Sequence, residues 1–118
     1  MKVYDSELKI LNILWNKGDT SAKDLAKILH EKIGWNKTTT YTVIKKCIDK
    51  GAIKKIDPDF ICQAIISKEQ IQEYETKELI DKMYDGINDL LIANLLGHQK
   101  MTIEELEQIK KLVKEFKE

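Results

Sequence analysis

Between Trp35 and Lys55 six lysines stand against a single acid, Asp49, and are interleaved with Thr38, Thr39, Tyr41 and Thr42. Lysine ammonium groups neutralise phosphates and release condensed counterions. Threonine hydroxyls and methyls, or a tyrosine ring, can meet base edges and sugars. With Thr40 at zero and 100° per residue, Val43, Ile44, Cys47 and Ile48 fall on one side, and Thr38, Tyr41, Thr42 and Lys45 on the other. An apolar back and a Thr/Tyr/Lys front predict a helix that packs on one face and leaves the other free for DNA. Asn36 is a good N-cap, and Gly51 stands where a left-handed residue ends such a helix. The candidate DNA contacts are Lys37, Thr38, Thr39, Tyr41, Thr42, Lys45 and Lys46 on the helix, with Lys54 and Lys55 beyond it. A basic run is ordinarily a solvated face, but the lysines here continue past the helix end. The chain has no arginine, so bidentate guanine contacts fall to lysine, and shape or thymine-methyl contacts carry more of the reading.

Other chemistry finds little support. No nucleophile stands with a base, and there is no glycine-rich phosphate loop or metal-ligand spacing, so neither enzymatic activity nor a cofactor or metal is expected. Cys47 and Cys62 are isolated from each other and from histidine, which predicts reduced thiols serving as small apolar residues. His30 and His98 are lone histidines expected at the surface, while Trp15 and Trp35, each at the edge of an apolar helix pattern, are expected in the core.

Across 118 residues, 42% apolar and 34% charged, the composition is that of a folded soluble protein. No apolar run is long enough to span a bilayer and the start lacks a signal-peptide core, so the expected compartment is the cytoplasm, without membrane insertion. The formal net charge of zero hides a division. Residues 1–67 carry 12 lysines against 8 acids, and residues 68–118 carry 8 lysines against 12 acids. A basic 1–67 and an acidic 68–118 predict two regions with different tasks.

A first helix from about Ser6 to Trp15, capped by Asp5 or Ser6, is apolar almost all round and ends at Lys17, Gly18 and Asp19. A second follows Thr20 with capping-box spacing from Ser21 to Asp24, places Ala22, Leu25, Ala26, Leu29 and Ile33 on one stripe, and closes at Gly34. With the helix after Asn36 this makes a helix-turn-helix. Residues 52–56 and 60–66 then read as two strands joined by a turn at Asp57, Pro58 and Asp59, a β-hairpin wing. The fold class is mainly α with a small β-hairpin: a winged helix-turn-helix over 1–67, then a helical dimerisation region over 68–118.

In that second region Ser67 and Gln70 form a capping box, and the helical pattern weakens at Gly86, predicting one helix ending near Tyr84 and another beginning near Gly86. After a linker over 96–100, Thr102 and Glu105 open a last helix. One stripe carries Ile80, Met83, Tyr84, Ile87, Leu90, Leu91 and Leu95; the last helix adds Leu106, Ile109, Leu112, Val113 and Phe116. Helices of this length appended to so small a core cannot all bury their stripes within one chain, which predicts a homodimer and, with it, two half-sites on DNA.

Glu7 to Trp15, then Ser21-Ala22, Trp35, the run Thr39 to Thr42, and Lys50-Gly51 together resemble the penicillinase and methicillin-resistance repressors of Gram-positive bacteria over nearly the whole chain. The resemblance implies a homodimeric repressor on a palindromic operator, controlling β-lactamase or related antibiotic-resistance genes. It also implies inactivation by cleavage in the C-terminal helices, triggered by a membrane β-lactam-sensing metalloprotease. The cut in that family falls between Asn and Phe, which maps to Asn94 and Leu95, with Leu in place of Phe. The alternatives are a winged-helix module whose basic face meets an acidic protein, or a repressor of the same family with an unrelated regulon.

Overall fold

The computed structural model describes residues 1–98 and 101–116. Six helices and a three-stranded sheet occur among them, in the order α1 (Asp5–Lys17), β1 (Thr20–Ser21), α2 (Ala22–Ile33), α3 (Lys37–Asp49), β2 (Ile53–Ile56), β3 (Ile61–Ala64), α4 (Lys68–Met83), α5 (Asn88–His98) and α6 (Ile103–Glu115).

Helix α1 starts slightly before the expected position, with Tyr4 and not Asp5 or Ser6 as its N-cap residue. The reason is Glu7, whose carboxylate accepts the Tyr4 backbone N–H at 2.8 Å and so satisfies an otherwise orphaned donor. Gly18, at φ 91°, ends the helix and donates its N–H to the Leu14 carbonyl. Ser21 caps α2 by accepting from the Asp24 N–H at 3.1 Å. Ala22, Leu25, Ala26 and Leu29 are buried as expected, but Ile33 is 44% exposed because it occupies the last helical position before Gly34 turns the chain left-handed. Asn36 Oδ1 accepts from the Thr39 N–H at 2.7 Å, the cap expected for α3.

The wing is larger than a hairpin. β2 and β3 pair antiparallel, and β1 adds to the free edge of β3, with Thr20 opposite Cys62 and Ser21 opposite Ile61. A two-residue strand has no periodicity of its own and exists only through this pairing, so it is invisible to pattern analysis. Ile10, Leu11, Leu25, Ile44, Ile53, Cys47 and Cys62 are among the fully buried side chains at the centre of the core. Trp15 and Trp35 pack against it, each partly covered.

Both thiols are free and buried. Burial pushes Cys47 up to about 12, with Glu7 adding to the rise against the opposing pull of Lys50. Burial raises Cys62 to about 11, opposed by Lys55. In the unfolded chain both ionise near their ordinary 9.0. The stabilisation from keeping them neutral is therefore complete below pH 9 and is lost as pH climbs toward about 11 and 12. Each thiol should remove about 1.4 kcal/mol of stability per pH unit across its window. Urea unfolding between pH 8 and 11 measures this: a Cys47→Ala/Cys62→Ala variant should show a shallower alkaline decline than the parent, and equal slopes would refute the assignment.

Ser67 and Gln70 form the expected reciprocal capping box, at 3.0 and 2.8 Å. The chain divides into compact units Met1–Thr76 and Lys77–Glu118, so the division falls inside α4 and not at the expected 67/68 boundary. Its cause is Ile71, 4% exposed in the core of the first unit, with Glu75 accepting the Val3 N–H one turn later. Trp15 donates its indole N–H to the Ile66 carbonyl at 2.9 Å, tying α1 to the segment that enters α4.

In the second unit α4 ends at Met83, and Gly86, at φ 75°, donates its N–H back to the Ile80 carbonyl. α5 begins two residues later and continues to His98, into the expected linker over 96–100. The remainder of the expected linker, Gln99 and Lys100, and the side chain of His98 lie outside the described residues. Thr102 and Glu105 open α6 with a second capping box.

Candidate nucleic-acid interface

Helix α3 is held by its back. Val43, Ile44 and Cys47 are buried, and Thr40, at the centre of the same arc, is 0% exposed. Its Oγ1 finds no hydrogen-bond partner among the described residues. An orphaned buried hydroxyl costs about 1–3 kcal/mol. Thr40→Val, which keeps the shape and removes the oxygen, should raise stability by about 1 kcal/mol. Tryptophan fluorescence during urea unfolding reads this directly, since Trp15 and Trp35 both belong to the first unit. A lowered midpoint would mean that the hydroxyl is satisfied.

The opposite face is open. Lys37, Thr38, Thr39, Thr42, Lys45 and Lys46 are exposed. Lys37, Thr38, Tyr41, Thr42 and Lys45 line one shallow concavity of about 500 Å³. Lys46 lies to one side and lines a separate hollow with Tyr4, Glu7, Asp49 and Lys50. The candidate lysines of α3 therefore divide between a front row and a flank.

Tyr41 is half-buried. Its ring meets Phe60 of the wing edge-on, centroids 5.8 Å apart at 86°, and the Lys37 ammonium lies 5.7 Å from its centroid. Phe60 occupies a left-handed conformation at φ 49°, costly for an aromatic residue. Three contacts hold it there: the Tyr41 ring, the Lys55 ammonium 4.3 Å over its face, and the Ala22 N–H donated to its carbonyl at 2.9 Å. Sequence reasoning misses Phe60, whose one signal is an aromatic beside the Asp57-Pro58-Asp59 turn.

Strand alternation separates the two wing lysines. Lys55 pairs with buried Cys62 across the ladder and shares its side of the sheet, with Asp57 at 3.8 Å, whereas Lys54 pairs with Gln63 on the other side. Lys50 belongs to the basic stretch but faces inward. Its ammonium reaches the Glu7 carboxylate at 2.6 Å and the Lys2 carbonyl at 2.9 Å, over the Tyr4 ring. A second basic hollow, about 470 Å³, is lined by Lys23, Lys27, His30 and Lys37 beside the start of α3. His30 is exposed as expected, with Nδ1 3.1 Å from the Trp35 carbonyl. Among the described residues no cluster of His, Cys, Asp or Glu is arranged to hold a metal, and no helix is long and apolar enough to cross a membrane.

The profile of the penicillinase repressors matches residues 4–115. The chain belongs to the penicillinase repressor family. These are transcriptional repressors and not enzymes, and DNA binding follows from membership. The chain is 21% identical to the penicillinase repressor of Bacillus licheniformis, over 98% of its own length and 92% of that protein. It is 24% identical to the methicillin resistance regulatory protein MecI of Mammaliicoccus sciuri, over 95% and 93%. It is 20% identical to the penicillinase repressor of Staphylococcus aureus, over 98% and 94%. Within this family member the residues of the resemblance acquire physical reasons: Glu7 and Lys50 are the two halves of one ion pair, and Trp15 anchors the end of the wing segment.

The side chains assigned to self-association lie in or beside the second unit's exposed apolar surface. Met83, Ile87, Leu90, Leu95, Leu106, Ile109, Leu112, Val113 and Phe116 are exposed, and Ile80, Tyr84 and Leu91 are partly covered. Leu79, Ile92 and Leu96 are exposed as well and lie off the expected stripe, Ile92 and Leu96 because α5 is apolar around most of its circumference; Ile103, on the apolar side of the last helix, is exposed too. Asn94 is partly covered and Leu95 is 45% exposed, both within α5.

Proposed function

We propose that this protein is a homodimeric cytoplasmic repressor that places one α3 in each half of a palindromic operator and silences β-lactamase or related antibiotic-resistance genes. The observation that carries the reading is the free Thr/Tyr/Lys face of α3, backed by a buried row and flanked by the lysine-bearing wing. Lys37, Lys45, Lys46, Lys54 and Lys55 supply phosphate contacts; Thr38, Thr39, Tyr41 and Thr42 supply base and sugar contacts. The names of the relatives, a penicillinase repressor and a methicillin resistance regulator, support resistance genes as the regulon.

Dimerisation is assigned to the apolar side chains of residues 77–116. Exposed Leu, Ile and Phe in such number are what an obligate interface covers. An Ile109→Asp/Leu112→Asp variant should sediment as a monomer and lose operator binding by about two orders of magnitude, since two half-sites no longer bind as one. Retention of a dimer would move the interface elsewhere.

Induction is assigned to cleavage between Asn94 and Leu95 by a membrane β-lactam-sensing metalloprotease. Immunoblots of cells given a β-lactam should show a fragment ending at Asn94, and an intact repressor in induced cells would exclude this route. The test of the reading as a whole is fluorescence anisotropy with promoter fragments of the source genome over a range of salt. Selective, salt-steep binding to a palindromic fragment upstream of a resistance gene is expected. Selection of another promoter would keep the repressor and replace the regulon, and no DNA binding would reject the reading.

A further inference from the structure

We propose that the groove between α1 and α2 is a binding site for a small amphiphilic organic anion, a single-chain carboxylate with a short apolar tail. The groove encloses about 490 Å³, within the range of roughly 300–1,000 Å³ typical of small-ligand sites. Its floor is aliphatic: Ile13 from α1 faces Ile28, Leu29 and Ile33 from α2. Leu29 is buried, while Ile33 remains 44% exposed at the mouth.

The rim carries charge of one sign. Lys9, Lys17 and Lys32 line it, no acid does, and none of the three makes an ion pair among the described residues. Lys17 and Lys32 lie in the last turns of their helices, where a cation also answers the helix dipole. Lys9, in the middle of α1, has no such explanation. Asn12 and Asn16, one turn apart on the same face of α1, add amide donors beside Ile13. An apolar floor with cationic and amide donors at its edge is complementary to a carboxylate head on an alkyl body.

The uncovered apolar surface also decides against a protein partner. Ile33 is the one floor residue that is exposed, and Ile13 and Ile28 are partly covered. The nine residues lining the groove fall well short of the roughly 20–30 per side that a stable protein interface uses. The groove shares no lining residue with the front concavity of α3, so occupancy is measurable without DNA.

The test titrates the full chain with decanoate below its micelle concentration, following backbone amide shifts by NMR. Saturable binding with shifts confined to α1 and α2 is expected. Lys9→Gln/Lys17→Gln/Lys32→Gln, all solvent-side changes, should weaken it about tenfold or more, and decanol, with the same tail and no charge, should bind weaker by a similar factor. Asn16→Trp, which fills the mouth, should abolish binding while the thermal midpoint stays put. Equal binding of decanoate and decanol, unchanged binding by the triple variant, or no saturable binding at millimolar decanoate would each overturn the proposal. So would an acidic amphipathic peptide that occupies the same face more tightly than decanoate.

Discussion

Replacing Lys50 by methionine should destabilise the first unit by about 3 kcal/mol, the scale of removing one partner from a buried ion pair. The Glu7 side chain is 3% exposed and that of Lys50 is 23% exposed. Methionine fills the space of the lysine stem and leaves the carboxylate enclosed, with the Tyr4 N–H still donating to it. The double variant Glu7→Gln/Lys50→Met removes both charges and should recover most of the loss, because the penalty belongs to the uncompensated charge and not to the absence of a pair. Urea unfolding followed by tryptophan fluorescence isolates the first unit. If the single and double variants are equally unstable, the loss comes from packing and the electrostatic argument is wrong.

Lys45→Ala should weaken operator binding by about tenfold per subunit near 0.1 M salt and lower the salt slope by about two per dimer, one released contact for each subunit. Lys45 stands in the front concavity with Tyr41 and Thr42, on the line where a groove-bound helix meets the strand. Lys46→Ala should cost less, since Lys46 lies on the flank, in the hollow that also holds Asp49 and Glu7. Ordering the two variants tests the orientation of α3 on DNA independently of its sequence preference. Equal losses would rotate the helix by about 50° from the proposed docking, and a larger one at Lys46 by up to about 100°.

Much of the winged helix is legible in the chain because local chemistry marks its ends. Ser21, Asn36 and Ser67 cap α2, α3 and α4, and Gly18, Gly34 and Gly51 follow the ends of α1, α2 and α3. The helical projection of residues 38–48 separates the buried row from the free face, and it also places Thr40 at the centre of the buried arc. What escapes depends on partners distant in sequence. β1 exists through β3, Glu7 meets Lys50 at a separation of 43 positions, and Ile71 is drawn from the helical tail into the first unit's core. A local charge count treats Lys50 as one more cation for phosphate, because nothing near it in the sequence announces the carboxylate it faces.

The unusual backbone of Phe60 bears on the thermodynamics of DNA recognition. A hairpin of two four-residue strands would ordinarily flex, and ordering it on contact with a phosphate would consume part of the binding energy. Clamped between Tyr41, Lys55 and the start of α2, the wing is arrested before any encounter and would meet DNA, in the proposed docking, without further ordering. Under the proposed docking the entropy of that ordering is lost during folding, so the encounter itself would be fast and the heat of binding would come from contacts and not from reshaping the protein.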